Sequence, residues 1–397
     1  MNVVFISPHF PHTYWQFCDR LKRNGANVLG IADTPYENLQ PELRAALTDY
    51  YRVDTLESYD QVYRGVAFFA SRYGKIDWLE SNNEYWLEQD ARLRTDFNIT
   101  TGVKSDGVED FKEKSAMKKF YAAGHVPTAR QIHGREGKEA ALKFAAQTDY
   151  PLIAKPDVGV GASDTHKIHS EEELVAFFDT NPHCADYVIE EFITGNIYSY
   201  DAICDADSNP LFESASWFPP SIMEIVNKQL ELSYVVQKDV PEQLRELGRR
   251  TLKAFRVKSR FVHFEFFCLA RDHKGLGKAG DFVGLEVNMR PAGGYTPDMI
   301  NYAHSTDVYG IWADAVCFNE RRTPEGEQFY CAYSSRRDIY QYAHSHEEVL
   351  ARYGQGMVMC ERMPDVLSGA MGNQMYTVKL RTQEEVDEFN RFVTEKA

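Results

Sequence analysis

The sequence predicts a protein of mixed class, α/β over residues 1–105 and α+β beyond them. Three observations support this prediction. Short apolar runs alternate with stretches of helical spacing over residues 1–105, which is typical of a doubly wound, mostly parallel sheet. From Asp106 the pattern changes to strands, helices and glycine-rich turns. Two runs beginning near residues 261 and 281 alternate polar and apolar residues, as half-buried strands do.

The length of 397 residues fits several packed units rather than one core. We divide the chain at the changes of pattern. The predicted units are an N-terminal α/β domain (residues 1–105), a small second unit (106–185), a central unit (186–318) and a C-terminal α/β segment (319–397). A polar stretch, Asn319–Gln328, introduces the last of them.

Composition restricts the classes of partner. Hydrophobic residues make up 43% and charged residues 26% of the chain, which is ordinary for a folded globular protein. The formal net charge is −15 and no basic block interrupts it, so we expect no nucleic-acid partner and no membrane partner. The seven cysteines are scattered and indicate free thiols. With neither a basic apolar leader nor an apolar stretch of membrane length, the sequence predicts a cytoplasmic protein.

The N-terminal unit opens with a short β-rich run, Val3–Ser7, and further strands are predicted at Asn27–Asp33 and Ile76–Ser81. Helical spacing marks Thr13–Asn24 and Glu84–Phe97. A dinucleotide-binding domain would carry a glycine-rich turn after its first strand, and the turn here contains no glycine. We therefore expect no NAD site in this unit.

A lysine and a glycine-containing loop form the first motif of chemical interest. Lys155 ends an apolar strand, and Gly159, Gly161 and Ser163 follow it closely. Glycines let consecutive backbone N–H groups converge on an anion, and a lysine adds the charge that binds phosphate. No Gly-Lys-Ser/Thr closes the loop, so it is not a Walker loop. A surface hairpin without a ligand is the alternative, and this motif alone does not decide between the two.

Two predicted strands carry a row of polar side chains on one face each, because successive side chains of a strand alternate in direction. The polar residues on these faces are His263, Glu265, Glu286, Asn288 and Arg290. The apolar residues of the opposite row are Val262, Phe264, Leu285, Val287 and Met289. If the strands pair as a hairpin, two carboxylates, an amide oxygen and a guanidinium converge. The oxygens suit Mg²⁺, and the guanidinium suits an anionic transition state or acyl phosphate. The alternative is a surface hairpin with solvated charges.

The order of the motifs resembles that of the ATP-grasp superfamily. A helical lysine (Lys114) and a strand lysine (Lys155) come first, followed by the glycine-rich loop. The segment Glu-Glu-Phe-Ile-Thr-Gly then precedes a strand glutamate and Glu-Val-Asn-Met-Arg. The resemblance covers about residues 106–318 and is strongest to carboxylate–amine ligases such as the L-amino-acid ligases. Biotin carboxylase and carbamoyl-phosphate synthetase show the same order.

This resemblance implies an ATP-grasp fold with mixed and antiparallel sheets after the N-terminal domain. Residues 106–185 would form a mobile lid subdomain, and residues 186–318 would form the core that carries the Mg-ATP and acyl-phosphate site. The residues expected to bind ATP are Lys114, Lys155, Gly159, Gly161, Ser163, Glu190, Glu191, Phe192 and Ile193, the last four as the adenine hinge. The expected metal ligands are Glu265, Glu286 and Asn288. Arg290 is expected to be catalytic, and the expected substrate-binding residues are Arg290, Gly293 and Gly294.

Two assignments stay open within the resemblance. The ATP contact on the helix is Lys114 or one of its neighbours Lys112, Lys118 and Lys119. Many relatives carry a ribose-binding acid just after the hinge glycine, and Ile197 stands there in this chain. Ribose recognition is therefore weaker here or is carried by another residue.

The resemblance implies a ligase that activates a carboxylate as an acyl phosphate, releases ADP and joins the acyl group to an amine. ATP would be a co-substrate, with Mg²⁺ or Mn²⁺ as the metal ion. The expected partners are small-molecule carboxylates and amines, and a homo-oligomer is compatible with this assignment. The alternatives are an ATP-grasp carboxylase or kinase, and a non-catalytic ATP-binding regulatory protein.

Overall fold

The computed structural model describes residues 1–159, 164–218 and 230–397. The strands are β1 (Asn2–Ile6), β2 (Asn27–Ala32), β3 (Asp49–Arg52), β4 (Trp78–Glu80), β5 (Gln131–His133), β6 (Leu152–Pro156), β7 (His166–Ile168), β8 (Tyr187–Glu191), β9 (Gly195–Cys204), β10 (Pro210–Phe218), β11 (Ser233–Val236), β12 (Phe261–Leu269), β13 (Phe282–Asn288), β14 (Tyr330–Arg336), β15 (Met357–Arg362) and β16 (Gln374–Leu380). The α-helices are Trp15–Arg23, Pro41–Ala46, Tyr59–Tyr73, Leu87–Asp96, Glu109–Lys112, Lys114–Ala123, Lys138–Thr148, Glu171–Thr180, Glu242–Ala254, Thr296–His304, Val308–Phe318, His346–Tyr353, Asp365–Met371 and Gln383–Thr394. None of these helices is long and apolar enough to cross a membrane.

The N-terminal unit is a parallel sheet in the order β3-β2-β1-β4. Its strands are apolar on both faces because helices cover both. Val4 and Ile6 of β1 pack beneath the helices Tyr59–Tyr73 and Leu87–Asp96. Val3 and Phe5 point to the opposite face, into a core shared with the helix Trp15–Arg23. The predicted doubly wound sheet is confirmed, and its strand order reverses between β1 and β4.

A small antiparallel sheet, in the order β5-β8-β6-β7, follows in the chain. The helices Lys138–Thr148 and Glu171–Thr180 pack on it and form a separate apolar core with it. We expected β8 in the central unit, which we began at residue 186. The structure pairs β8 with both β5 and β6, so this strand lies in the small sheet.

The third sheet has eight antiparallel strands in the order β13-β12-β9-β10-β11-β14-β16-β15. The three strands of the C-terminal segment join it through the pairing of β11 with β14. Residues 319–397 therefore extend the central sheet. The aromatic side chains Tyr295, Tyr309 and Trp312 are buried in the core between this sheet and the N-terminal domain.

A buried ion-pair network joins the N-terminal domain to the central sheet. Glu80, at the end of β4, accepts hydrogen bonds from Arg94 (3.0 Å) and from Arg260 (2.5 Å). All three side chains are almost fully buried. Burial alone would raise the pKa of Glu80, but the charges of Arg260 and Arg94 outweigh it and lower that pKa. The network thus joins the two units through buried charges, and the carboxylate of Glu80 compensates the charges of both arginines.

We predict that Glu80→Gln strongly destabilises the protein. The substitution removes the charge that compensates two buried guanidinium groups, and breaking such a buried pair typically costs about 3–5 kcal/mol. Because folding lowers the pKa of Glu80, its contribution is present above the ordinary carboxyl pKa and is lost as pH falls through the lowered value. Urea unfolding at neutral pH measures the difference in the free energy of unfolding.

Asp60→Asn is the matched control in the same domain. Asp60 pairs with Arg64 at 2.9 Å on an exposed helix face, and such a pair contributes about 0–1 kcal/mol. If both variants unfold at the same urea concentration as the wild type, the junction does not have the stabilising role described here.

Candidate active site

The predicted hairpin is formed by β12 and β13, which pair antiparallel in the central sheet. Glu265 lies opposite Glu286, and His263 lies opposite Asn288. The expectation that these polar side chains share one side of the sheet is confirmed. A bulge follows, since Phe266 pairs with Gly284 and one extra residue remains on β13.

The bulge changes one part of the predicted pattern. Leu285 was expected in the core-facing row, yet it is the extra residue and is only half-buried. Val287 and Met289, after the bulge, do lie in the core. Gly284, beside the bulge, lets the ring of Tyr121 pack closely, because a Cβ there would stand 2.8 Å from that ring. Strict alternation cannot reveal such a bulge, although a glycine within a strand is a signal for one.

The two facing glutamates need positive charge nearby. Burial raises the pKa of Glu286, and the charge of Glu265 raises it further. Burial would also raise the pKa of Glu265, but the hydrogen bond from His263 at 3.3 Å and the charges of His263, Arg290 and Lys155 together outweigh it and lower that pKa. The Oδ1 atom of Asn288 accepts a hydrogen bond from Arg290 at 3.3 Å. Two carboxylates and an amide oxygen thus lie beside two cationic side chains.

This donor set fits a hard divalent cation. Within the described residues, no group of three His, Cys, Asp or Glu side chains is gathered for a metal ion. Mg²⁺ does not need such a cage, since it commonly takes one or two carboxylates and completes its shell with water and substrate phosphates. Glu265, Glu286 and Asn288 therefore have the chemistry that a Mg²⁺ or Mn²⁺ site shared with a nucleotide requires.

A hydrogen-bonded chain from β9 holds His263 in place. Asp201 accepts from His263 Nδ1 at 2.7 Å and from the hydroxyl of Ser199 at 2.5 Å. Burial would lower the pKa of His263, but Asp201 outweighs it and raises that pKa to about 9. The imidazole is therefore cationic at neutral pH and links Asp201 to Glu265.

Three lysines of the small sheet and the helix Lys114–Ala123 contact carboxylates of the site, Lys114 at Glu286 and the other two at Glu190. Lys114 Nζ lies 3.6 Å from Glu286 and donates to the carbonyl oxygen of Gly159 at 3.0 Å. Lys155 and Lys118 contact the two carboxylate oxygens of Glu190, at 2.7 Å and 2.8 Å respectively. Burial would raise the pKa of Glu190, but these lysines outweigh it and lower that pKa to about 2.

The helix that carries Lys114 is fixed by a residue of the small sheet. Asp157, just after β6, accepts hydrogen bonds from the backbone N–H of Ser115 at 2.7 Å and from its hydroxyl at 2.6 Å. A carboxylate at a helix N-terminus satisfies a free N–H group and complements the helix dipole. This contact ties the start of the helix that carries Lys114 to the end of β6, the strand that carries Lys155.

The side chain of Glu191 is bound elsewhere, and the nucleotide contact expected for this hinge residue stays a prediction. That carboxylate is buried and bound by Arg130, through its backbone N–H at 2.7 Å and its guanidinium at 2.6 Å. Glu190 and Glu191 are consecutive in β8, so their side chains point to opposite faces and only Glu190 faces the lysines. The backbone N–H and C=O groups of Phe192 and Ile193 bond to no described residue.

The remaining predicted residues fall into two groups. Gly161 and Ser163 lie outside the described residues, whereas Gly159 is exposed beside Lys114. Gly293 and Gly294 are exposed just beyond β13. Gly294 has a backbone φ of 62°, a conformation that residues other than glycine adopt only with strain. This turn leaves backbone groups accessible near Arg290.

Sequence reasoning left Lys118 as one of several alternatives to Lys114 and gave His263 no role. Lys118 is four residues after Lys114, which places both on one helix face. Lys112 and Lys119 point elsewhere, toward Glu88 and Asp110. Asp201 and Ser199 could have been found only from the pairing of β9 with β12, which brings them beside His263 and Glu265.

Comparison with known proteins gives relatives of one kind. No family model matches the sequence. The D-alanine–D-alanine ligase of Pediococcus pentosaceus is 29% identical over 94 residues, 23% of this chain and 26% of that protein. The L-arginine-specific L-amino acid ligase of Bacillus subtilis is 23% identical over 265 residues, 64% of this chain and 60% of that protein. The chain thus spans less than two thirds of the length of either relative.

The crystal structure of the L-amino acid ligase from Bacillus licheniformis superposes with a TM-score of 0.67. The match covers 98% of this chain and 96% of that one, at 14% identity. This chain has the ATP-grasp fold. These relatives are ATP-grasp carboxylate–amine ligases, so the resemblance predicted from the motifs is confirmed. At 14% identity the superposition shows the fold alone.

We predict that Lys155→Ala weakens the binding of Mg-ATP to this protein by roughly 10- to 100-fold, the usual range for a lost hydrogen bond to a charged group. Calorimetric titration with a non-hydrolysable ATP analogue and Mg²⁺ measures the effect. Lys118→Ala should also weaken binding, since both lysines face Glu190.

Lys138→Ala is the control for these variants. Lys138 lies on an exposed helix of the same small subdomain and pairs with Asp179 at 2.7 Å. Its removal should leave the affinity unchanged. A folded Lys155→Ala protein with wild-type affinity would exclude Lys155 as a phosphate contact.

Proposed function

We propose that the protein is an ATP-dependent carboxylate–amine ligase. The observation that carries the proposal is the row of Glu265, Glu286, Asn288 and Arg290, with Lys114 reaching Glu286 from the opposite side. Such an arrangement combines metal-binding oxygens with cations that neutralise a triphosphate. Phosphoryl transfer depends mainly on positioning and on the stabilisation of spread negative charge, and these residues supply both.

The first step is the transfer of the γ-phosphoryl group of ATP to a substrate carboxylate. A carboxylate oxygen attacks the γ-phosphorus in line, the bond to the β–γ bridging oxygen breaks, and ADP leaves. Lys114, Lys155 and Lys118 neutralise the phosphate oxygens, while the planar guanidinium of Arg290 binds the acyl phosphate. The exposed backbone of Gly293 and Gly294 receives the entering carboxylate.

In the second step an amine attacks the acyl carbon, and phosphate leaves as the carbon–nitrogen bond forms. The acyl phosphate would hydrolyse in open water, so the site must exclude solvent while it exists. We assign the hinge that holds the adenine to Phe192 and Ile193, through the backbone groups that bond to no described residue. In this assignment Glu190 orients Lys155 and Lys118 and has no catalytic role of its own.

Glu265, Glu286 and Asn288 would hold Mg²⁺ or Mn²⁺. The ion supplies Lewis-acid polarisation of the phosphate oxygens. His263 keeps Glu265 ionised, and Arg290 holds the amide oxygen of Asn288 in place. The partners in this proposal are a small-molecule carboxylate and a small-molecule amine.

A matrix of carboxylates and amines tests the proposal. ADP and phosphate release should require one member of each class, and hydroxylamine should trap the activated acyl group as a hydroxamate. A kinase would release ADP without forming a hydroxamate. A carboxylase would require bicarbonate, and a non-catalytic ATP-binding protein would release no ADP with any pair.

We predict that Glu286→Gln abolishes most turnover and raises the Mg²⁺ concentration needed for half-maximal activity. The substitution removes one of two facing carboxylates, and the loss of such a charge from a metal site costs several kcal/mol of transition-state stabilisation. Steady-state ADP release across a Mg²⁺ titration measures both effects. Unchanged turnover together with an unchanged Mg²⁺ titration would remove Glu286 from the metal site.

We predict that Arg290→Lys separates ATP binding from product formation. Lysine keeps the charge but loses the planar fork that meets two phosphate oxygens, so amide formation should fall by orders of magnitude. ATP affinity, measured by calorimetry on the same preparation, should survive. If both quantities fall together, Arg290 is an ATP contact, and if neither changes, it has no role in the reaction.

A further inference from the structure

A groove runs between the helix Glu242–Ala254 and the end of the helix Lys114–Ala123. Its volume of about 670 Å³ is within the range of roughly 300–1,000 Å³ that is usual for sites of small organic molecules. None of the residues that line it belongs to the candidate active site. The groove is therefore a separate feature of the molecule, and the proposed reaction gives it no role.

Small residues leave room for the groove where the two helices meet. Ala123, Gly124 and Ala254 line it at this point. A Cβ on Gly124 would stand 3.0 Å from the Cβ of Ala254 and 3.3 Å from the backbone oxygen of Arg250, so the two chain segments approach closely. The groove thus has an apolar base, which suits the carbon skeleton of an organic molecule.

Four cationic side chains of the helix Glu242–Ala254 also line the groove, namely Arg245, Arg249, Arg250 and Lys253. Arg245, Arg249 and Lys253 follow one another at intervals of four residues, so they form a stripe along one face of the helix. The opposite face of this helix is buried through Leu244 and Leu247. The stripe therefore faces away from the core and toward a ligand in the groove.

This concentration of positive charge contrasts with the rest of the chain. The whole sequence has 44 Lys and Arg against 59 Asp and Glu. Residues 245–258 contain six basic side chains (Arg245, Arg249, Arg250, Lys253, Arg256 and Lys258) and one acidic one, Glu246. Clustered charge of one sign in a groove attracts ligands of the opposite sign, so the groove favours an anion.

Two of these cations have partners that a ligand can replace. Arg245 pairs with Glu242 at 3.1 Å, and Arg250 pairs with Glu246 at 2.5 Å. The side chains of Glu242 and Glu246 are 87% and 62% exposed, and solvent-exposed pairs of this kind contribute little because water screens the charges. Arg250 also donates to the backbone carbonyl of His125 at 3.1 Å, which holds its guanidinium group at the groove.

The other two cations differ from each other. Lys253 donates to the backbone carbonyl of Asp207 at 2.7 Å and to the amide oxygen of Asn209 at 2.8 Å, and it makes no ion pair with any described residue. Arg249 donates to both carboxylate oxygens of Glu213, at 2.8 Å and 2.5 Å. Arg249 is thus committed to the protein, whereas the charge of Lys253 has no anionic partner.

From these observations we infer that the groove is a second ligand site, for a small organic molecule with two anionic groups, either phosphates or carboxylates. Arg245 and Arg250 have planar guanidinium groups that match such oxyanions, and Lys253 adds a point charge. Arg245 and Lys253 lie about 12 Å apart along the helix axis, a spacing that suits two separate oxyanions. The inference goes beyond the proposed function and does not rest on it.

Calorimetric titration of the full chain tests the inference. A non-hydrolysable ATP analogue and Mg²⁺ fill the nucleotide site beforehand. The probes are fructose bisphosphate for the phosphate class, succinate for the carboxylate class, and orthophosphate as the bare ion. At least one of the two organic dianions should bind in a one-to-one ratio and more tightly than orthophosphate, and the one that binds identifies the class.

Arg250→Gln combined with Lys253→Gln should weaken this binding by at least about 10-fold, the low end of the range for hydrogen bonds to charged groups. Arg256→Gln combined with Lys258→Gln is the matched control. It removes the same charge from two exposed residues of the same segment that do not line the groove, so it should leave the affinity unchanged.

A third variant changes the shape of the groove and not its charge. Ala123→Trp places a ring over the apolar base, and Ala123 is exposed, so the fold should tolerate it. It should also weaken the binding of the organic dianion. Thermal unfolding of each variant separates a local effect from loss of the fold.

Three results would overturn the inference. The first is that neither dianion binds, and the second is that both double variants lose affinity by the same factor, which indicates attraction to general positive charge. The third is binding that neither Ala123→Trp nor the Arg250 and Lys253 variant weakens, since the ligand then lies elsewhere. A short single-stranded oligonucleotide is the last probe: binding tighter than that of either dianion, and weakened equally by both double variants, identifies a nucleic-acid surface and also excludes the proposed site.

Discussion

The geometry of the site depends on the hydrogen bonds donated by the guanidinium of Arg260, which join the N-terminal domain to the β12–β13 hairpin. Arg260 lies immediately before β12 and donates to Glu80 of the N-terminal domain and, at 2.6 Å, to the backbone carbonyl of Met289 just beyond β13. Glu80 in turn holds the loop that contains Asn82. The buried side chain of Arg260 therefore fixes the end of the β12–β13 hairpin, near Met289, relative to the loop that follows β4. A neutral residue in its place could pack in the core but could not connect these elements.

Three carboxylates of the candidate active site each lie beside at least one cationic side chain. Glu190 pairs with Lys155 and Lys118, and Glu265 accepts a hydrogen bond from His263. Glu286 lies beside Lys114, at the longer distance of 3.6 Å. The pKa of Glu190 is lowered to about 2, so it stays ionised and two lysines share a single negative charge. The excess positive charge on that side suits a triphosphate. Of these three carboxylates Glu286 has the most distant cation, and burial and the charge of Glu265 raise its pKa. A divalent cation would provide the charge it lacks.

The alternation of polar and apolar residues along single strands predicted the part of the site that depends only on the pairing of two neighbouring strands. The period of two in β12 and β13 placed Glu265 and Glu286 on one side, since pairing as a hairpin requires no information from distant residues. The same period places the side chains of Glu190 and Glu191 on opposite faces of β8, a distinction that the expected hinge did not draw. The contacts Arg130–Glu191 and Arg260–Glu80 join residues 61 and 180 positions apart, so no periodicity reveals them. Similarly, the side chain of Asn82 has no hydrogen-bond partner among the described residues, and this becomes informative only once its burial is known.

The small sheet meets the rest of the protein mainly through polar contacts. Its own apolar core is separate, and its polar links to the helix Lys114–Ala123 include Asp157 with Ser115, Gly159 with Lys114, and Glu190 with Lys118. Interfaces of this kind resemble transient ones, in which a change of relative position exposes little apolar surface. The apolar contact near the hinge is a small cluster containing Ile193 and Leu269. The predicted lid movement would therefore exchange lysine contacts with carboxylates and carbonyls for contacts with phosphates, and a cluster at the hinge would remain packed throughout.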